Sequence, residues 1–367
     1  MAAIEKDSSY INPLNQSLGI FFKDALRITM KSPLQAYYFL RTVRWQKKAS
    51  KVRANWRQEG IYVPPIVIFS ITNRCNLHCK GCYAQALHQL PIAEMSEDRL
   101  RSIITEAHEL GISFMVIAGG EPLVRQEILN IAGEFPDIIF LIFTNGLLIN
   151  DQALVRLKKQ KNTVPIISLE GYEADTDERR GKGVYEQLQR IIEKLRSKNI
   201  FFGTSLTLTR SNFADITDTQ FIKRLTGLGC KLFFFVDYTP ISEETRDWVL
   251  TEEQKDSVME IVKSLRKKFM ALFISIPGDE EEFGGCLAAG HGFVHISAEG
   301  DLEPCPFAPY SDASLRDKPL KEALKSEFLK AIRDNQEQLS EGQSGCALWE
   351  KRDWVQSLLT TNTKNQG

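Results

Sequence analysis

The sequence predicts an α/β protein built on a parallel sheet, and three observations predict it. Apolar runs of strand length recur near residues 66–72, 113–118, 138–143, 164–169, 201–208 and 231–237. Amphipathic stretches with helical spacing lie between them, for example 97–110 and 183–197. Short polar, glycine-containing motifs follow several of the apolar runs directly. Alternation on this scale is the pattern of βαβ units, whose strands pair in parallel. By itself it fits an open barrel of six units and a doubly wound sheet equally well.

The chain has 367 residues, 43% hydrophobic and 25% charged, which is enough to bury a large core. Its seven cysteines are an odd number, and the first residues lack a basic segment followed by an apolar one. A disulfide framework is therefore not expected, and a reducing cytoplasm suits the thiols better. No apolar stretch reaches the ~18 residues of a membrane span. Net charge is −1 but unevenly placed: Ile20 to Gln58 carries ten Lys/Arg against one acid, while the remainder is net −10.

Four segments follow. Residues 1–63 read as a basic helical arm. Leu18, Phe21, Phe22, Ala25 and Leu26 fall on one helical face, and Ser32-Pro33 reads as the start of a second helix. Residues 64–278 are the alternating core. Residues 279–359 begin with the acidic run Asp279 to Glu282. They are expected to hold a hairpin about Glu299-Gly300-Asp301, a helix near 319–334 and a closing segment Trp354 to Leu359. Residues 360–367 read as a polar, flexible tail.

The chemistry concentrates in Cys75-Asn76-Leu77-His78-Cys79-Lys80-Gly81-Cys82, a C-x3-C-x2-C run directly after the first strand. Thiolates suit iron–sulfur clusters and zinc alike, but zinc commonly takes two C-x2-C pairs closed tetrahedrally. A [4Fe–4S] cube takes four thiolates, so three on one loop leave an iron open to a small molecule. His78 reads as a polar loop residue. Gly119-Gly120-Glu121-Pro122 follows the second strand, Thr144-Asn145-Gly146 the third and Ser168-Leu169-Glu170-Gly171 the fourth. In this order the four motifs resemble those of radical S-adenosylmethionine (SAM) enzymes.

The resemblance implies a partial (β/α)6 TIM-like barrel with chemistry at the strand C-terminal ends. It also implies a [4Fe–4S] cluster held by Cys75, Cys79 and Cys82, with SAM on the open iron. Gly119, Gly120, Glu121 and Pro122 would meet the methionine amino group, Thr144 and Asn145 would lie beside them, and Ser168 and Glu170 would serve the ribose. Arg180 resembles the arginine of an R-G segment that meets the SAM carboxylate. Many members place an aromatic residue just before the third cysteine; here it is Gly81, so adenine contact falls to backbone groups or Tyr83. Ser205 and Thr207 share one strand face, and Phe233, Phe234 and Phe235 read as barrel core.

Cys286, Cys305 and Cys346 are too dispersed for a local ligand loop. Gly300 to Cys305 nevertheless resembles the auxiliary-cluster segment of SPASM and twitch domains. The resemblance implies one auxiliary [4Fe–4S] cluster in a small twitch-like α+β domain, with the fourth ligand absent or drawn from Glu350, His291 or Cys230.

The implied reaction is reductive cleavage of SAM to a 5′-deoxyadenosyl radical that abstracts hydrogen from a small-molecule or lipid-like substrate. A reductant such as flavodoxin or ferredoxin would supply the electron. Two alternatives stand beside it: a peptide-modifying maturase, and a non-catalytic iron–sulfur carrier. The cationic arm adds an expectation of peripheral contact, through residues 17–58, with the inner face of a membrane. No aromatic–basic platform for nucleic acid is evident.

Overall fold

Strand sequences such as Ile66–Thr72 (IVIFSIT) and Ile139–Thr144 (IFLIFT) are rich in β-branched and aromatic residues and are apolar on both faces. Such strands are stable only when covered on both sides, as in parallel sheets. The computed structural model describes residues 28, 33–87, 93–277, 285–339 and 346–364. In it β1 (Ile66–Thr72), β2 (Phe114–Gly119), β3 (Ile139–Thr144), β4 (Thr163–Leu169), β5 (Gly203–Leu208), β6 (Leu232–Asp237) and β7 (Leu272–Ile276) pair in parallel, each with the next. β8 (Phe293–Ile296) adds in parallel to the free side of β1, and β9 (Leu302–Glu303) pairs antiparallel with β8. The sheet order is β7-β6-β5-β4-β3-β2-β1-β8-β9, an open barrel wall.

Six parallel strands were expected before the acidic run, and seven are present. β7 is five residues long and directly follows the basic end of the helix Glu252–Lys268, so its periodicity is short and masked. The helices form in register with their expected positions. In Glu97–Leu110, Ser96 caps the start by accepting from the Arg99 N–H, and Gly111 ends it at φ +86°. Leu100, Ile103, Ile104, Ala107 and Leu110 make its buried stripe.

Two apolar layers result. The larger lies between the sheet and its helices; the smaller lies on the inner side of the barrel, with Phe114, Leu141, Ile166, Phe234 and Leu272. Val43, from the helix Pro33–Gln58, packs against this interior cluster together with Ile66 and Phe201 at the beginnings of strands. The arm helix therefore covers the N-terminal end of the barrel. Arg53 anchors it by donating to the Gly111 carbonyl at 2.5 Å and the Ser113 hydroxyl at 3.0 Å. The expected helix at Leu18 to Leu26 lies outside the described residues, as does the acidic run.

The hairpin about Gly300 is present as β8 and β9. The single helix expected near 319–334 is two, Leu320–Ala323 and Glu327–Asp334. Ser326 breaks it by accepting from the Leu329 N–H as a new N-cap. The final helix, Arg352–Lys364, continues into the segment read as a tail, carried by Trp354, Leu358 and Leu359 packing on the core.

Candidate functional site

Thr72, Gly119, Thr144 and Leu169 end the first four strands at one rim of the barrel. The cysteine loop leaves β1 there and folds back over β2. Thr72 shapes its start, accepting from the Arg74 N–H at 3.1 Å and donating to Glu94 at 2.5 Å. Lys80 N–H donates to the Arg179 carbonyl at 2.9 Å, tying the loop to the segment after β4. Cys82 then leads into the helix Tyr83–Leu87.

Gly119 and Gly120 also have a reason within the fold. A Cβ on Gly119 would strike the Thr72 carbonyl oxygen, and one on Gly120 the carbonyl oxygen of Arg74. Gly120 and Glu121 N–H groups donate to those same carbonyls at 2.8 Å each. The close approach these glycines permit is that of the cysteine loop's own backbone.

Glu121 is 1% exposed, and its carboxylate faces protein groups. It accepts from Leu123 N–H at 2.9 Å, Thr144 Oγ1 at 2.7 Å and Asn145 N–H at 2.7 Å. Burial pushes its carboxyl above the usual range while these donors oppose the shift. Glu121 thus joins the second and third motifs, and neither it, Pro122 nor Thr144 lines the cavity described below. Asn145 reaches the other way: its Nδ2 donates to Asn76 at 2.8 Å and points at Cys75 Sγ at 3.8 Å. Glu170 is likewise 1% exposed and bound, at 2.5 Å to Arg179 and at 2.5 Å to Arg180. The carboxylate expected at a ribose holds two guanidinium groups over the rim. Arg179 was not singled out in the sequence, although its position beside Arg180 was the available signal.

A cavity of about 760 Å³ opens at this rim and continues into the barrel. Cys75, Cys79 and Cys82 line it, and so do Cys286, Cys305 and Cys346. Gly119, Gly120, Asn145, Ser168, Arg180 and Tyr83 line it as well. Deeper, Ser205, Thr207 and Phe234 face inward, whereas Phe233 and Phe235 point outward to the helices. Tyr83 meets Phe307 with ring centroids 4.8 Å apart, so the residue after Cys82 touches the segment after Cys305. Cys230 does not join either set. It is buried at the opposite end of the barrel, donating to the Leu232 carbonyl at 3.4 Å. His291 and Glu350 do not line the cavity.

Both thiol sets fit a cluster. None of the six is in a disulfide. Burial, followed by neighbouring carboxylate and thiolate charge, pushes the Cys75 thiol up. Burial also raises Cys79, which Arg180 opposes. Cys305 is raised by its hydrogen bond with Cys346, by burial and by the charges of Cys346 and Cys286. Sulfurs crowded in this way gain from a cationic centre between them. The Leu77 N–H already points at Cys75 Sγ at 3.4 Å, a contact of the kind that tunes cluster potential. Among the described residues no three His, Cys, Asp or Glu converge on a single ion. A cube, which presents its irons at separate corners, asks for wider spacing.

Known proteins agree with this geometry. Residues 69–221 match the radical SAM superfamily. The AdoMet-dependent heme synthase of Methanosarcina barkeri is 26% identical over 301 residues, covering 75% of this chain and 86% of that one. The subtilosin biosynthesis protein AlbA of Bacillus subtilis is 27% identical over 256 residues, covering 67% and 56%. The fold resembles Streptococcus suis SuiB bound to S-adenosylmethionine, with TM-score 0.61 and 17% identity, covering 86% of this chain and 74% of that one. Residues 69–221 are thus a radical SAM domain and the chain is an enzyme, with homologues in radical SAM families of the SPASM and twitch type. A [4Fe–4S] cluster and SAM are the cofactors of such a domain.

Proposed function

We propose that this enzyme acts on a small, largely apolar molecule held inside the barrel, with Cys75, Cys79 and Cys82 ligating the SAM cluster and Cys286, Cys305 and Cys346 ligating one auxiliary [4Fe–4S] cluster. The observation that carries this reading is the single cavity that all six cysteines line and that continues onto Val116, Leu141, Phe143 and Phe234. A barrel interior of that composition favours apolar groups and excludes water, which a radical reaction requires. When bound, cluster and SAM supply hydrogen-atom abstraction through a 5′-deoxyadenosyl radical.

The chain's own residues do the placing. Asn145 orients the loop at Cys75, Arg180 presents a cation at the rim, and Gly119 and Gly120 let the cysteine loop lie flat on β2. Ser168, Ser205 and Thr207 supply the polar contacts within reach of a bound substrate. The match to the heme synthase covers 86% of that protein, which supports the small-molecule reading, while the likenesses to AlbA and to SuiB leave the peptide-modifying alternative beside it. A ferredoxin- or flavodoxin-type protein is the proposed electron donor.

Iron and sulfide counted per chain in anaerobically purified protein test the cluster assignment. About eight of each supports both sets; about four removes the auxiliary cluster. For the substrate, a short peptide encoded beside the gene that is modified in vitro would overturn the small-molecule reading.

A membrane-surface reading rests on one further observation. Arg44, Lys47, Lys48 and Lys51 form an exposed stripe on the arm helix, with Tyr37 (68% exposed) and Leu40 (53%) at its start. Cations beside exposed apolar groups suit an anionic lipid surface. Among the described residues no helix is long and apolar enough to cross a membrane. Flotation with phosphatidylserine vesicles at low salt checks the idea, and absence of binding removes it.

A further inference from the structure

At the β1–β8–β9 side of the sheet, three strands share a hydrogen-bonded relay that the proposed chemistry does not use. Ser70 Oγ on β1 lies 2.8 Å from His295 Nε2 on β8, and His295 Nδ1 lies 2.6 Å from Glu303 Oε2 on β9. Ser70 is 3% exposed, His295 0% and Glu303 4%. Stability does not explain such a group. A buried ionisable pair is commonly replaced by apolar residues of similar volume at no loss.

Register does explain it. β8 has four residues and β9 two, and they attach the C-terminal segment to the barrel through Ile66–Phe293, Val67–Val294, Ile68–His295 and Phe69–Ile296 pairs. A slip of one residue would turn the apolar side chains to the wrong face, and the pattern forbids it. A slip of two would keep every face correct, so hydrophobicity cannot exclude it. Only a directional group can. Displaced by two residues toward the start of β1, His295 would face Ile66 and lose Ser70; displaced the other way, it would stand directly opposite Ser70 and the present 2.8 Å geometry would be broken. The slip would carry the hairpin along by about 6.6 Å, at about 3.3 Å per residue.

The consequence falls on the cysteines. Cys75 is five residues beyond Ser70, and Cys305 two beyond Glu303. A second contact on the same boundary, Asn73 Nδ2 to Glu299 Oε1 at 2.7 Å, holds the hairpin turn to the cysteine loop.

We propose that Ser70, His295 and Glu303 are positioning residues that hold the second cysteine set in fixed register over the first. This rests on the two-cluster reading. The test uses the full chain, anaerobically reconstituted, as wild type, Ser70→Ala, His295→Phe and His295→Gln. Iron content, the dipolar broadening between the two reduced centres by electron paramagnetic resonance, and hydrogen exchange across β8 and β9 are measured on each.

The expected result is eight irons in wild type and Ser70→Ala, with broadening reduced at least twofold in Ser70→Ala and His295→Phe. His295→Gln, which retains a polar reach, recovers part of it. In both defective variants exchange at Phe293–Ile296 rises at least tenfold, while that of Glu97–Leu110 is unchanged. Wild-type broadening and exchange in His295→Phe would overturn the proposal. Four irons in wild type would instead overturn the two-cluster reading. Hydrogen exchange would then decide the register role alone: the tenfold rise supports it, and an unchanged pattern ends it.

Discussion

The Glu121 carboxylate accepts a hydrogen bond from the Thr144 hydroxyl at 2.7 Å, joining the motif after β2 to the motif after β3. The same carboxylate takes the Asn145 N–H at 2.7 Å, and Asn145 in turn reaches Cys75. Two segments that look like independent cofactor contacts are therefore one scaffold, and Cys75 sits at its end.

Glu121→Ala should accordingly act on stability as well as on cofactor binding. It strands buried N–H and O–H donors, at a cost of about 2–3 kcal/mol. A lower urea midpoint with unchanged slope is the expected result. A midpoint equal to wild type would show that the carboxylate bears little of the rim's structure.

Removing Glu170 has a sharper consequence. Arg179 and Arg180 are mostly buried, with side chains 15% and 12% exposed, and both pair with this one carboxylate. Glu170→Ala leaves two guanidinium charges without their shared partner. Loss of a buried partner costs about 3–5 kcal/mol. Thermal unfolding should shift clearly downward, and binding of SAM, measured calorimetrically on the reconstituted protein, should weaken as Arg180 loses its orientation.

At Gly81 the backbone has φ +63°, and a Cβ there would lie 2.5 Å from Tyr238 Oη and 3.0 Å from Trp248. Gly81→Ala should disturb the turn between Cys79 and Cys82 and lower the iron retained after desalting. Adding Tyr238→Ala relieves the clash but not the left-handed backbone, so recovery should be partial. Full retention of iron in Gly81→Ala would contradict this account.

Burial drives His295 down to about 3, against the opposing charge of Glu299 and with the Glu303 carboxylate 2.6 Å from its Nδ1. A histidine whose folded pKa lies below its unfolded value of 6.5 binds its proton more readily in the unfolded chain. Its contribution to stability is therefore complete above about pH 6.5 and is lost as pH falls toward 3. The loss is at most about 5 kcal/mol, and less to the extent that Glu303 compensates. Denaturation midpoints between pH 7 and 5 should fall more steeply for wild type than for His295→Gln. Equal slopes would show that the ring does not titrate on unfolding in that range.

Much of the architecture was readable because it is local. The strands announce themselves as apolar runs, and caps such as Ser96 and Gly111 mark helix ends within a few residues. β7 was not readable, being only five residues long, and β8 was readable only as one arm of the hairpin about Gly300: its pairing with β1, more than 220 residues earlier, was not. The candidate site shows the same division. Cys75, Cys79 and Cys82 could be picked out by spacing, whereas the bound state of Glu121 and Glu170 could not. Carboxylates after a strand read as open ligands in a sequence. Whether their lone pairs are already taken depends on Thr144, Asn145, Arg179 and Arg180 arriving from other segments.

By itself, then, the sequence determined the radical SAM domain, the α/β alternation and the identity of the first three thiols, because those follow from residue type, spacing and order. Only the tertiary structure decided that Cys286, Cys305 and Cys346 face the same cavity as the first set, that two motif carboxylates are hydrogen-bonded to Thr144, Asn145, Arg179 and Arg180, and that Ser70, His295 and Glu303 meet. Each of these is a contact between residues far apart in the chain. Such contacts are set by strand register and by which buried polar groups must find partners, and no local pattern records either.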